Sequence, residues 1–181
     1  MTARPSGLDQ LYQQVILDHY REKHGHGLRG PQSTPDRVAV AEAGLTWAES
    51  RQVNPLCGDE VTVRVAVDGA GFVRDLAWDA EGCSISQAST SVLHDLVVEG
   101  SPAAVRRTVD AFRAMVRSRG TVEPDEDLLG DGVAFAGVGR HANRVKCAML
   151  GWTAFEDALG RAGSTPAAVH RTGTPAEQEE A

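Results

Sequence analysis

From Glu60 to Val67 the chain alternates with a period of two: Val61, Val63, Val65 and Val67 on one side, Thr62, Arg64 and Ala66 on the other. Asp68-Gly69 follows at once, so the run reads as a half-buried strand ending in a turn. Phe72 to Trp78 is its returning partner, and the resulting antiparallel hairpin has one apolar face that other elements must cover. A third strand is predicted upstream, from Arg37 to Ala48, where Val38, Val40, Leu45 and Trp47 alternate with an interruption at Ala43-Gly44.

The cover comes from helices. Leu8, Leu11, Tyr12, Val15 and Ile16 recur at steps of three and four, which predicts an N-terminal helix with an apolar stripe and Ser6 as its cap. His24-Gly25-His26-Gly27 and Gly30-Pro31 stop it, and the histidines, set in glycines without adjacent carboxylates, read as a solvent-exposed turn rather than as metal ligands. Further helices are predicted from Ser86 to about Glu99, from Pro102 to about Ser118 with Ser101 as N-cap, and from Ala142 to about Leu159. Trp78 and Trp152 are expected in the core. The connection from Gly120 to Gly139 is rich in glycine and acidic residues, and connections of that length are often functional.

A hydrophobic share of 41% over 181 residues suits one domain, placed at residues 1–160, and the Ala, Gly, Thr, Pro and Glu composition of 161–181 reads as a disordered tail. The formal charge of -7 leaves no global positive field for a phosphate backbone, which excludes nucleic acid as a partner. Arg106, Arg107, Arg113, Arg117 and Arg119 form a local basic group, a solvated helix face in the simpler reading and a docking patch for an acidic partner in the other. No apolar run is long enough to cross a bilayer, and the first residues lack the apolar core of a secretory signal. With three cysteines, an odd number, the expectation is a cytoplasmic protein with reduced thiols.

Those cysteines occupy presenting segments: Asn54-Pro55-Leu56-Cys57-Gly58-Asp59, Glu81-Gly82-Cys83-Ser84-Ile85-Ser86 and Arg144-Val145-Lys146-Cys147-Ala148. Cys57 precedes a strand, Cys83 links a strand to a helix and Cys147 lies early in the last helix, so all three can converge at one end of the sheet. Free cysteines are commonly buried as small hydrophobes, but glycine and serine loops are poor settings for that. Asp59, two positions after Cys57, can reach the same point. Three thiolates and one carboxylate suit tetrahedral Zn²⁺, with sulfur at about 2.3 Å and oxygen near about 2.0 Å. The set would carry a net charge of about −2 and keep its thiols deprotonated, which favours reactivity over inert structural binding.

Those three segments, together with Leu17-Asp18-His19-Tyr20, resemble the U-type iron–sulfur assembly proteins, the IscU, SufU and NifU N-terminal family, over about Leu8 to Leu159. The resemblance is stronger to SufU, because the scaffold branch has a histidine where this chain has Lys146, and because Gly120 to Gly139 looks like the insertion of SufU proteins. It implies an α+β fold of SufE/NifU type, a small antiparallel sheet of about three strands covered by helices. It further implies zinc on Cys57, Asp59, Cys83 and Cys147, and a SufS-type cysteine desulfurase of the SUF pathway as partner. In the implied reaction a desulfurase histidine replaces Cys57 on zinc, and Cys57 takes the outer sulfur of the donor persulfide. The chain would then be a zinc-dependent sulfurtransferase. The alternatives are a scaffold for a [2Fe-2S] cluster, with iron in place of zinc, and a structural zinc module that binds an assembly partner. Arg144 and Lys146 are read as solvated cations or as guides for anionic sulfur and the desulfurase, and His141 as a more remote ligand candidate.

Overall fold

The computed structural model describes residues 7–28 and 43–164. Helix α1 (Gly7–Glu22) precedes three strands, β1 (Thr46–Val53), β2 (Glu60–Val67) and β3 (Val73–Glu81). Helices α2 (Ser84–Val97), α3 (Pro102–Arg117) and α4 (Glu126–Leu129) follow, then a run of 3₁₀ turns (Gly130–Arg140) and the long α5 (Ala142–Ser164). The sheet is antiparallel in the order β1-β2-β3, so the fold is α+β as expected.

The hairpin forms as its alternation dictates. Val61, Val63, Val65 and Val67 are all buried, and the Asp68 carboxylate closes the turn by accepting the N–H groups of Ala70 and Phe72, each at 2.9 Å. The first strand lies further along the chain than predicted; residues 37–42 of that expectation are outside the described residues, as is Ser6. Register explains the displacement. The β1 residues paired with the buried valines are Thr46, Ala48, Ser50 and Gln52, small or polar groups that give no hydrophobic alternation. They tolerate the inner face because α5 supplies polar partners there: Ser50 Oγ donates to Asp157 Oδ2 at 2.6 Å and Thr46 Oγ1 to the Ala162 carbonyl at 3.2 Å.

Helices α2 and α5 cross closely over the sheet. Gly151 makes this possible, since a Cβ there would lie 2.2 Å from Thr90 Oγ1. The buried hydroxyls of the crossing are satisfied, with Ser89 Oγ donating to the Ala148 carbonyl at 2.7 Å and accepting from Trp152 Nε1 at 2.9 Å. Trp152 stacks on Phe112, ring centroids 4.0 Å apart, and Trp78 is fully buried, so both tryptophans are core as expected. Ser101 caps α3 by accepting the Ala104 N–H at 3.3 Å. The last helix reaches Ser164 rather than Leu159, so residues 161–164 are helical where a tail was expected, while 165–181 lie outside the described residues; the Gly120 to Gly139 connection is ordered into α4 and the 3₁₀ turns.

The predicted stripe on α1 is only half used. Tyr12 and Ile16 pack against the core, whereas Leu8 and Leu11 are exposed. The His24-Gly25-His26-Gly27 turn has a structural task on the edge of β3. Gly25 O and Gly27 N bond to Trp78 N and O at 3.0 and 2.8 Å, and Trp78 Nε1 donates to the His24 carbonyl at 2.7 Å. Gly25 has φ +73, and a Cβ on it would meet His94 Cδ2 at 2.3 Å, so no other residue fits.

Candidate metal centre

The β1–β2 loop is built by Asn54. Its carbonyl accepts from Cys57 N at 3.3 Å and Gly58 N at 2.8 Å, its N–H donates to the Asp59 carbonyl at 2.8 Å, and its Oδ1 accepts from Leu56 N at 3.2 Å. Gly58, at φ +76, completes the reversal. The loop holds Cys57 outward and Asp59 inward: Cys57 is exposed, Asp59 buried. Cys147 enters from the second turn of α5 and is buried. One ligand atom from each of Cys57, Asp59 and Cys147 lies within 4.8 Å of the others. Cys83 stands beside this trio at the N-cap of α2, exposed, with its N–H donating to Asp59 Oδ1 at 3.3 Å and its Sγ 3.8 Å from Ser86 Oγ.

Two observations fit a tetrahedral cation here. The Sγ atoms of Cys57 and Cys147 are 3.8 Å apart, and two sulfurs at about 2.3 Å from one tetrahedral centre are about 3.8 Å from each other. Asp59 Oδ2 is buried and has no hydrogen-bond partner, a costly state for a carboxylate unless a ligand occupies its free lone pairs. Burial pushes the Asp59 carboxyl up, but the polar groups of Cys83, Cys57, Ser86 and Cys147 gathered around it outweigh that and hold the group below its ordinary value. The Cys147 thiol moves the other way, raised by burial first and then by the neighbouring charges of Cys83 and Asp59. A thiolate at Cys147 therefore calls for a cation beside it. Gly82 is part of the cradle, because a Cβ there would lie 2.7 Å from Asp59 Cγ.

The family model described as the NifU-like N terminal domain matches residues 11–159. The chain belongs to that family. A scaffold protein for iron–sulfur cluster assembly, IscU of Streptococcus pyogenes serotype M1, is 32% identical over 160 residues, 88% of this chain and 89% of the relative. The zinc-dependent sulfurtransferase SufU of Bacillus subtilis (strain 168) is 31% identical over 157 residues, 86% of this chain and 94% of the relative. Among solved structures, a putative iron–sulfur cluster assembly scaffold protein for the SUF system from Fervidobacterium islandicum AW-1 superposes with a TM-score of 0.62 at 27% identity, over 84% of this chain and 99% of the other.

In this NifU-like domain neither His141 nor the group of His19, His24 and Asp95 joins Cys57, Asp59 and Cys147. His141 is the C-cap of the 3₁₀ turns and exposed, and Arg144 and Lys146 are exposed on the first turns of α5. His19, His24 and Asp95 do approach one another, but each ring nitrogen is already engaged: His19 with Ser91 Oγ (2.9 Å) and Asp131 (3.1 Å), His24 with Asp95 (2.6 Å) and Glu22 (2.9 Å). This network ties α1 to α2. The basic group on α3 divides: Arg113 pairs with Asp110 and Glu156, while Arg117 and Arg119 turn toward the start of α5. Sequence reasoning missed Asn54, whose Nδ2 lies 3.8 Å from Cys147 Sγ; its place at the head of the Cys57 segment was the available signal.

Proposed function

We propose that the chain is a zinc-dependent sulfur acceptor in iron–sulfur cluster assembly, working with a SufS-type cysteine desulfurase, and that Cys57, Asp59, Cys83 and Cys147 are its metal ligands. The observation that carries this reading is the unpartnered, buried Asp59 Oδ2 beside two sulfurs at tetrahedral spacing. Zinc would supply the positive charge that keeps the thiols ionised. Cys57 is the acceptor, because it is exposed on the 54–59 loop, whereas Cys147 is buried in a helix and Cys83 is anchored at the head of α2. Its thiolate attacks the outer sulfur of the donor persulfide. The donor S–S bond breaks, the donor leaves as a thiolate, and Cys57 carries the persulfide, with no net oxidation or reduction.

Lys146 in the place of the scaffold branch's histidine supports sulfur transfer over cluster assembly. Native mass spectrometry after incubation with cysteine and the desulfurase checks the reading. A gain of about 32 Da on the zinc-bound chain is expected, and Cys57→Ala loses that gain while keeping part of the zinc. Iron and sulfide bound independently of Cys57 would instead identify a [2Fe-2S] scaffold, the role named for the streptococcal relative.

A further inference from the structure

A cavity of about 670 Å³ opens beside the cysteine centre, between the loop after β1, the end of α3 and the start of α5. Asn54 is common to both, lining the cavity while its Nδ2 faces Cys147 Sγ. Val145, Met149 and Leu150 give the cavity an apolar floor, and Arg117, Arg119, Arg140 and Lys146 border it. Elsewhere Arg21, Arg51, Arg64, Arg74, Arg113 and Arg161 each have a carboxylate partner. Among the described residues the four cavity cations have none, as is also true of Lys23, Arg106, Arg107 and Arg144; what sets the four apart is that they border one cavity, in a chain whose net charge is -7.

Backbone devices gather these like charges. Arg119 takes φ 58, a left-handed conformation unusual for a side-chain-bearing residue, and Gly120 follows at φ 85. Gly139 packs so closely on α3 that a Cβ would lie 2.8 Å from the Val116 carbonyl, which brings Arg140 over the Gly120 turn. Val53, which lines the cavity, is 48% exposed, and Leu56, next in the chain after the lining Pro55, is 64% exposed. Clustered arginines around an apolar floor, with exposed apolar side chains alongside, are the composition of a protein-docking surface. A protein that delivers sulfur to Cys57 must also cover the 54–59 loop.

We propose that this cavity receives an acidic segment of the sulfur-donating partner, its carboxylates on Arg117, Arg119, Arg140 and Lys146 and an apolar side chain on the floor. This rests on the function proposed above. The test is the affinity of the zinc-loaded full chain for its cysteine desulfurase at about 50 and about 300 mM salt. Arg117→Glu/Arg140→Glu should weaken binding about tenfold and flatten its salt dependence. Arg106→Glu/Arg107→Glu makes the same charge change on α3 outside this cavity and should cost less than about twofold. Lys146→Glu, at an exposed position of α5, should act in the same direction as the cavity pair without disturbing the Arg119 turn. Zinc content serves as the control for folding. Equal losses in the two double variants would reduce the effect to overall charge, and unchanged affinity in the cavity variants would remove the site; either result overturns the proposal. A wild-type chain that binds no desulfurase overturns the sulfur-acceptor reading itself, and this one with it.

Discussion

Asn54 shows how much of the centre depends on a residue that is not a ligand. It is 5% exposed, it closes the loop that separates outward Cys57 from inward Asp59, and its amide faces the buried Cys147 sulfur. Outer partners of this kind usually change metal affinity by about 10–100-fold when removed. Asn54→Ala is therefore expected to weaken zinc binding by about 10–100-fold, read by competition with a chromophoric chelator, while the circular dichroism of the fold is unchanged. Cys57, Asp59 and Cys83 stood out in the sequence because their glycine and serine settings make poor core, whereas Cys147, buried in a helix, was joined to them only by the family's motif. Asn54 did not stand out, because an asparagine before a proline reads first as a turn former. Its second task depends on α5, which arrives from far along the chain.

At the scale of elements, the hairpin and the later helices were legible wherever burial alone chose the residue. Where polar partners from another element made burial tolerable, they were not. Ser50 on β1 is such a case, since only Asp157 on α5 explains a buried hydroxyl there. The joint between α1 and α2 is another, because the histidines of the glycine turn met their carboxylates only in the fold. His24 is held above the ordinary imidazole value of 6.5 by its hydrogen bond to Asp95, partly opposed by burial and reinforced by Glu22; His19, His94 and the Asp131 carboxylate bonded to His19 also stand at the joint. A group whose pKa is raised by folding contributes stability below its unfolded value, and loses it as pH rises through the folded value. The difference in thermal stability between wild type and His24→Gln should thus be largest below the ordinary value of 6.5 and shrink as pH rises through the raised value of the folded state, measured by calorimetry at matched ionic strength.

For the molecule as a whole, the proposed ligands come from three places far apart in sequence: the β1–β2 loop, the head of α2 and the second turn of α5. Removing the metal is expected to lower thermal stability well beyond the site. With zinc at about 100 times its Kd the linkage is worth about 2.7 kcal/mol, or about 5–10 °C in Tm for a chain of this size, checked by unfolding with and without chelator. One loop carries both Cys57 and Asp59, and this has a topological consequence for the proposed relay. When the thiol is away with its sulfur, the carboxylate two residues on still tethers the same strand of chain. In the proposed relay the acceptor would swing out like a gate on a hinge that never comes off its post, and a metal held by Asp59 and Cys147 would keep the circuit between those residues closed.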